Sequence, residues 1–302
     1  MKAAVCREFG KPLVIEEVNL ADEGPGEVRV KIAAVAICHS DITYADGGWG
    51  GTLPAIFGHE CAGVVERVGQ GVTTVKPGDT VVVTLIRSCG HCHGCSRGMP
   101  VTCSTQFPLD AKSPITDAKG NSIVQSMRTG GFAEYVVVHE SQCVSVPTSI
   151  PAPSASLLAC GVITGFGAVT NTAKVTPGSH VVVIGTGGVG LNSIQGAHVS
   201  GARSVIAVDI ADNRKVYSSS SGGNLSLVDP VTGDTVGITP RPATGEAPYR
   251  FDWDAPVMAS RHTPGAVYLG GNFLFTSRDY GATWTKSKDL TRSINQIGRA
   301  HV

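Results

Sequence analysis

Residues 180–190 read His-Val-Val-Val-Ile-Gly-Thr-Gly-Gly-Val-Gly, and no other stretch restricts the fold as much. Val181 to Ile184 form an unbroken apolar run, which suits a strand buried on both faces of a parallel sheet. The run enters a Gly-x-Gly-x-x-Gly turn, Gly185-Thr186-Gly187-Gly188-Val189-Gly190. Gly190 to Ser200 then predicts a helix of small residues, and Ser204 to Asp209 a second buried strand. This is a β-α-β unit, and strand, turn and helix in that order are the context of a dinucleotide-binding fingerprint. Gly185 permits the tight turn, Gly187 lets the backbone approach a pyrophosphate, and Gly190 permits close helix–strand packing. The phosphates would lie at the helix N-terminus, on the turn that Gly188 and Val189 complete. Asp209, 19 residues past Gly190, would bond the adenosine ribose hydroxyls and repel a 2′-phosphate, which favours NAD over NADP. Asp209 could equally be a helix N-cap.

The α/β pattern does not continue. Ala211 to Lys215 should start the next helix, but after Val216 the chain runs Tyr-Ser-Ser-Ser-Ser-Gly-Gly, which supplies no apolar helix face. Short strands and turns follow: 224–229, 234–239, 266–271, 273–277 and 283–287. Composition changes at the same place. All nine cysteines lie in the first 160 residues, whereas nine of the 17 aromatics lie in the last 86. The first 150 residues predict short strands at Leu13–Val18, Val28–Ala36, Cys61–Val68, Thr80–Thr84 and Tyr135–His139, with a short helix from Ser40 to Tyr44. Such strands suggest a small, mostly antiparallel β-barrel. Residues 88–106 are a cysteine-rich excursion and 107–131 a long polar loop. Ser154–Ala159 and Thr164–Ala173 predict helices.

The chain carries 24 Lys and Arg against 24 Asp and Glu over 302 residues. Zero net charge argues against a nucleic-acid or anionic-membrane partner, since either needs a basic surface. The first eleven residues lack the apolar core of a signal peptide, and no run approaches the ~18 apolar residues of a membrane span. A cytoplasmic protein is the expectation.

Cys89, Cys92, Cys95 and Cys103 have the spacing C-x2-C-x2-C-x7-C. Four thiolates on tight turns can surround one tetrahedral Zn2+ with no open position. Disulfides are not expected without a secretion signal. His91 and His93 then read as solvent-facing loop residues. A second set is dispersed: Cys38, followed by His39, Ser40 and Asp41; His59, between Gly58 and Glu60; and Cys160. Each alone is weak. Together Cys38, His59 and Cys160 give three ligands from separate elements and leave a fourth position open, the arrangement of a catalytic zinc. Asp41 could fix the tautomer of His59. Glu60 could be an alternate ligand or a charge balancing the metal. Cys6, Cys61 and Cys143 read as small buried hydrophobes.

The Gly58-His59-Glu60 triplet, the four-cysteine lobe, Leu158-Ala159-Cys160-Gly161-Val162 and the glycine turn, in this order, resemble the medium-chain zinc-dependent alcohol dehydrogenases. The resemblance covers about residues 1–216. The long 107–131 loop resembles the S-(hydroxymethyl)glutathione dehydrogenase branch. The resemblance implies an α/β fold with a β-barrel: a GroES-like zinc-binding catalytic domain (1–150), a truncated Rossmann parallel sheet that binds NAD (151–216), and an unrelated β-strand tail (217–302). It implies two zinc ions per chain and hydride transfer between an alcohol or aldehyde, a glutathione adduct included, and NAD. Ser40 would begin a proton relay from the alcohol, His39 would lie near the cofactor phosphates, and Arg214 near the adenosine ribose. Thr43 stands where some members have a histidine that finishes the relay. Trp49, Phe57 and Phe107 could be pocket walls or core.

The chain departs from the family after Val216, where four further Rossmann strands and a returning segment are expected. The family's homo-oligomers form through those strands. Ser277 to Trp284 instead resembles the Asp box of sialidase-like and sortilin-like β-propellers, a hairpin-turn motif, and Leu225–Ile238 resembles another blade hairpin. One or two blades close no propeller. Ile297–Val302 resembles a translated sequencing adapter, which with the break at 216–217 suggests a chimeric sequence. The reading is therefore a zinc- and NAD-dependent alcohol oxidoreductase by descent, inactive in this chain. The alternatives are a non-catalytic zinc-binding GroES-like module with a disordered or misfolded tail, and a fragment of a secreted carbohydrate-active propeller. A two-strand parallel sheet would leave apolar faces and an edge uncovered.

Overall fold

In the computed structural model, an antiparallel ladder brings the chemistry-bearing residues of the first half together. The structure describes residues 1–210, 216–220, 223–229, 232–251, 255–260 and 262–290. The expected start of a helix at 211–215, Arg214 and residues 297–302 lie outside them. The described chain forms two compact units, 1–161 and 162–302.

The first unit contains β1 (Lys2–Cys6), β2 (Val14–Glu17), β3 (Asn19–Leu20), β4 (Glu27–Ala36), α1 (His39–Ala45), β5 (Ala55–Ile56), β6 (Glu60–Val68) and β7 (Thr80–Val83). Short helices α2 (His93–Ser96) and α3 (Pro108–Ala111) follow, then β8 (Ile115–Thr116), β9 (Ser122–Gln125), β10 (Tyr135–His139) and β11 (Cys143–Ser145). A five-stranded antiparallel sheet has the order β10-β4-β6-β7-β11, so two strands adjacent in sequence, β10 and β11, lie at its opposite edges. The sheet curls as a half-barrel over alternate residues that point inward, among them Val28, Val30, Val65, Val81, Val83, Val136 and Val138. A second sheet, β2-β1-β5-β9-β8-β3, packs its own core of Val5, Ile56, Ile115 and Ile123.

The 107–131 segment differs from a polar loop. It supplies α3, β8 and β9, and both Ile115 and Ile123 are fully buried. Arg87 is one of the side chains that tie it down. Arg87 is buried and donates to Gln142 Oε1 at 2.8 Å, Asp110 Oδ1 at 3.0 Å and the Arg128 carbonyl at 3.1 Å. Three acceptors for one guanidinium offset the cost of taking that charge out of water.

The two helices expected around Cys160 are one continuous helix, Ala152–Ala173. It comprises α4 (Ala152–Leu157), a π turn (Leu158–Val162), α5 (Ile163–Gly167) and a second π turn (Ala168–Ala173). By length and composition alone it could cross a membrane, which corrects the expectation that no stretch comes near that mark. Ala155 and Ala159 pack with Ala62 of β6 and Val82 of β7, small residues that let the helix approach the sheet closely.

In the second unit, β12 (His180–Ile184) and β13 (Ser204–Ile210) are parallel, joined through α6 (Gly188–Val199). Val183, Ile194, Ala197, Val205 and Ala207 form the core between sheet and helix. The next partner of β13 is β14 (Val216–Ser220), and it runs antiparallel; β15 (Asn224–Val228) and β16 (Thr235–Gly237) continue as a hairpin in the same sheet. The parallel programme therefore ends after two strands. Val182, Ile184 and Ile206, on the sheet face away from the core residues, are exposed, and among the described residues β12 pairs with β13 alone.

The described tail is packed rather than disordered. β17 (Val257–Ala259), β18 (Val267–Gly270), β19 (Leu274–Ser277) and β20 (Thr285–Lys286) form a four-stranded antiparallel sheet. Its core of Val257, Val267, Leu269 and Phe275 includes Tyr217 and Leu225 of the preceding sheet. The 277–284 turn is held by its own side chains. The Asp279 carboxylate accepts from Thr283 N at 2.9 Å and Thr283 Oγ1 at 2.6 Å, and Ser277 Oγ accepts from Gly281 N at 2.8 Å. The Thr283 bonds, first that of the hydroxyl, lower the Asp279 pKa to about 2. Trp284 Nε1 donates to the Ile238 carbonyl at 2.8 Å.

Candidate metal centres and the dinucleotide turn

Strand register explains how three dispersed motifs meet. In the β4–β6 ladder Ala36 lies opposite Glu60. Cys38 is two residues past Ala36 and His59 one residue before Glu60, so the pairing itself puts both at the same end of the sheet. The helix packed on β6 and β7 brings in Cys160 from the third side. Cys160 sits in the π turn, whose extra residue re-aims a side chain relative to an α-helix. Thr84 Oγ1, just past β7, donates to the Ala159 carbonyl at 3.0 Å and pins that turn. Sequence reading missed both the π turn and Thr84; a threonine after a Val run carries no signal of a contact 75 residues away.

The ligand atoms of Cys38, His59, Glu60 and Cys160 all lie within 4.8 Å of one another. His59 and Glu60 are buried, and Cys38 and Cys160 half-buried. The Asp41 carboxylate organises one side. It is buried and accepts three bonds: from Cys38 N at 3.0 Å, Gly58 N at 2.9 Å and His59 Nδ1 at 3.1 Å. The first also caps α1, so one side chain fixes both the helix start that carries Cys38 and the ring that faces it. With Nδ1 held by Asp41, Nε2 is left as the donor toward a cation. Gly58 is required here: its φ is +92°, and a Cβ would meet Phe132 at 2.7 Å.

Burial works against the His59 imidazolium, but the Asp41 carboxylate and Cys160 sulfur beside it outweigh burial and raise its pKa to about 10. A cation competes with that proton, so its affinity falls with acidity. Two thiols, a buried imidazole and a carboxylate form a donor set that fits zinc. His39 is exposed and Ser40 half-buried on the first turn of α1, beside Cys38. Thr43 donates to the His39 carbonyl at 3.0 Å. Phe57 and Phe107 are buried core residues, and Trp49 is exposed, edge-on to Tyr44.

Cys89, Cys92, Cys95 and Cys103 form the second group, all half-buried. Sγ–Sγ separations are 4.0 Å for Cys89–Cys95 and 3.8 Å for Cys92–Cys103. A Zn–S bond of about 2.3 Å gives a tetrahedral edge of about 3.8 Å, so this geometry fits zinc closely. Backbone N–H groups already compensate the sulfur charge. Those of Cys95 and Ser104 lower Cys92 to about 5. The Thr105 hydroxyl, then the His91 N–H, lower Cys89 to about 7. Burial pushes Cys95 up to about 11. His91 and His93 are outside this group, His93 on α2 facing Arg97. Cys61 and Cys143 are buried, and burial raises both thiols, that of Cys143 to about 12; Cys6 is buried as well.

At the glycine turn, Gly185 has φ +88°, Gly187 is the N-cap of α6, and a Cβ on Gly190 would lie 1.8 Å from the Gly185 carbonyl oxygen. Gly187, Gly188 and Val189 are exposed. Asp209 is differently placed. Its Oδ2 accepts from Thr186 Oγ1 at 3.0 Å and from Ala259 N, on β17, at 3.0 Å. Thr186 is fully buried, and its one hydroxyl proton is shared between Asp209 and the Val257 carbonyl.

The alcohol dehydrogenase GroES-like domain family matches residues 24–148. A CYP enzymes assisting alcohol dehydrogenase of Catharanthus roseus is 39% identical over 224 residues, covering 71% of this chain and 59% of the plant protein. Among solved structures, an alcohol dehydrogenase zinc-binding domain protein from Burkholderia ambifaria is 35% identical with a TM-score of 0.65, over 68% of this chain and 58% of that one. Benzyl alcohol dehydrogenase from Acinetobacter calcoaceticus is 35% identical with a TM-score of 0.62, over 69% and 58%. The chain thus spans less than two thirds of the length of these relatives. Residues 24–148 of this chain thus belong to the alcohol dehydrogenase GroES-like domain family, and over the longer stretch they share the chain is similar to zinc-type alcohol dehydrogenases.

Proposed function

We propose that this chain binds two Zn2+ ions and carries the alcohol-activating centre of an NAD-linked alcohol oxidoreductase without completing hydride transfer. The observation that carries the reading is the convergence of Cys38, His59, Glu60 and Cys160 within 4.8 Å. Zinc held there supplies Lewis acidity toward an alcohol or carbonyl oxygen. The chain's own residues do the rest. Asp41 holds the His59 ring with Nε2 facing the site, and the π turn aims Cys160. Ser40, two residues from Cys38, can relay a proton from a bound alcohol by taking it as its own hydroxyl proton passes on to solvent, and His39 on the same turn is open to solvent. Glu60 serves either as a fourth ligand or as the balancing charge. The Cys89 group would hold a structural ion, closed to substrate.

The substrate class is a small alcohol or aldehyde. A reducing, cytoplasmic compartment suits the site because it keeps the thiolates available. Turnover also needs a place for the nicotinamide, which a dinucleotide-binding sheet builds from further parallel strands beyond its first, and among the described residues β12 pairs with β13 alone. Metal analysis of the purified chain should return two zincs, falling to one in Cys38→Ser, with no NADH formed from alcohols. One zinc in the parent protein, or sustained NADH production, would overturn the proposal.

A further inference from the structure

We infer that the chain closes its own dinucleotide turn: strand β17 holds the place of the adenosine ribose on Asp209, so the chain does not bind NAD. A dinucleotide lies outside the carboxyl ends of parallel strands, with its ribose hydroxyls donating to an acid at the end of the second strand. That acid is Asp209. Here the Ala259 amide and the Thr186 hydroxyl donate to its Oδ2, and both bonds are 3.0 Å. Thr186 belongs to the glycine turn itself, and it also bonds the Val257 carbonyl. The turn, the acid and the tail strand are therefore tied together by the Ala259 amide and by the one Thr186 hydroxyl proton, which Asp209 and the Val257 carbonyl share, across the crevice a ribose would enter. β17 is in turn held by its antiparallel ladder to β18 and by the burial of Val257 and Ala259 in the tail core. A ribose hydroxyl taking Oδ2 of Asp209 must displace an intramolecular strand that is already paired, at no gain in the number of bonds to that oxygen. The glycines that would face the pyrophosphate stay exposed, so the obstruction is at the ribose and not at the phosphates.

This inference deepens the proposal that the chain does not turn over, and it stands apart from the zinc chemistry, which metal analysis reads independently. The test uses the whole 302-residue chain, zinc-loaded. NAD is titrated to millimolar concentration by calorimetry, and amide hydrogen exchange is followed at Ala259 in the parent chain and in Asp209→Ala. The expected result is no saturable NAD binding, a protected Ala259 amide, and exchange there roughly tenfold to hundredfold faster in Asp209→Ala, as expected for loss of a bond to a charged acceptor. Saturable NAD binding overturns the inference. So does an Ala259 amide that exchanges without protection in the parent chain, or that is unaffected by Asp209→Ala, because β17 would then not be held by Asp209.

Discussion

Asp41→Ala is the perturbation that most directly probes how the candidate catalytic site is assembled. The carboxylate is buried and accepts from three donors, two of them on Oδ1 (Gly58 N and His59 Nδ1) and one on Oδ2 (Cys38 N). Leaving a buried donor without an acceptor costs about 1–3 kcal/mol. The Cys38 amide is partly accessible and regains water, so the two remaining donors make alanine cost about 2–6 kcal/mol in total. Asparagine behaves differently. With its oxygen in the Oδ1 position it keeps the Gly58 and His59 bonds and turns its NH2 toward the Cys38 amide, which should cost only about 1–3 kcal/mol. Because Asp41 orients His59, zinc affinity at this site should fall about tenfold to hundredfold in Asp41→Ala. Urea unfolding gives the stability difference, and competition with a chromophoric chelator gives the affinity, with the four-cysteine site as an internal control. Two equally tight zincs in Asp41→Ala, or equal losses for the alanine and asparagine variants, would refute the reasoning.

Cys103→Ser should release the second zinc and unfold residues 88–106 locally, since a structural zinc in small peptides contributes about 10–16 kcal/mol; metal content should fall by one with the Cys38 site still loaded. Gly190→Ala places a Cβ 1.8 Å from the Gly185 carbonyl oxygen, a contact between two backbones that cannot swing away. It should destabilise the second unit by upwards of about 3 kcal/mol, read as an earlier unfolding transition, while both zinc sites persist. The Asp279 turn should loosen in acid. Its carboxyl falls from 3.8 to about 2 in the folded chain, so its contribution is fully present above pH 3.8 and is lost as pH falls toward 2. The change in Trp284 fluorescence over that window should be absent in Asp279→Asn.

The glycine turn, the four-cysteine spacing and the change of composition near 216 were all legible in the sequence, because each is local. A turn that needs φ +88° at Gly185 needs glycine, and a tetrahedral thiolate site needs cysteines a few residues apart. The dispersed set of Cys38, His59 and Cys160 was legible only as three weak signals. Their meeting depends on the β4–β6 register and on a helix packing through alanines, neither of which a single segment encodes. The 107–131 segment looked polar because its buried residues, Ile115 and Ile123 among them, are scattered among exposed ones.

The sequence by itself determined which side chains could ligate metal, since donor chemistry belongs to residue type. It also determined where the parallel α/β pattern stops, since a serine and glycine run supplies no apolar helix face. Only the tertiary structure decided what each donor faces. It gave His59 a carboxylate partner in Asp41 and Cys160 a π turn pinned by Thr84. It also gave Asp209, the residue whose role rested most on its position in sequence, a strand from fifty residues downstream as its partner. Hydrogen-bond partners over such separations are set by which strands pair and which faces pack, and those are properties of the whole chain.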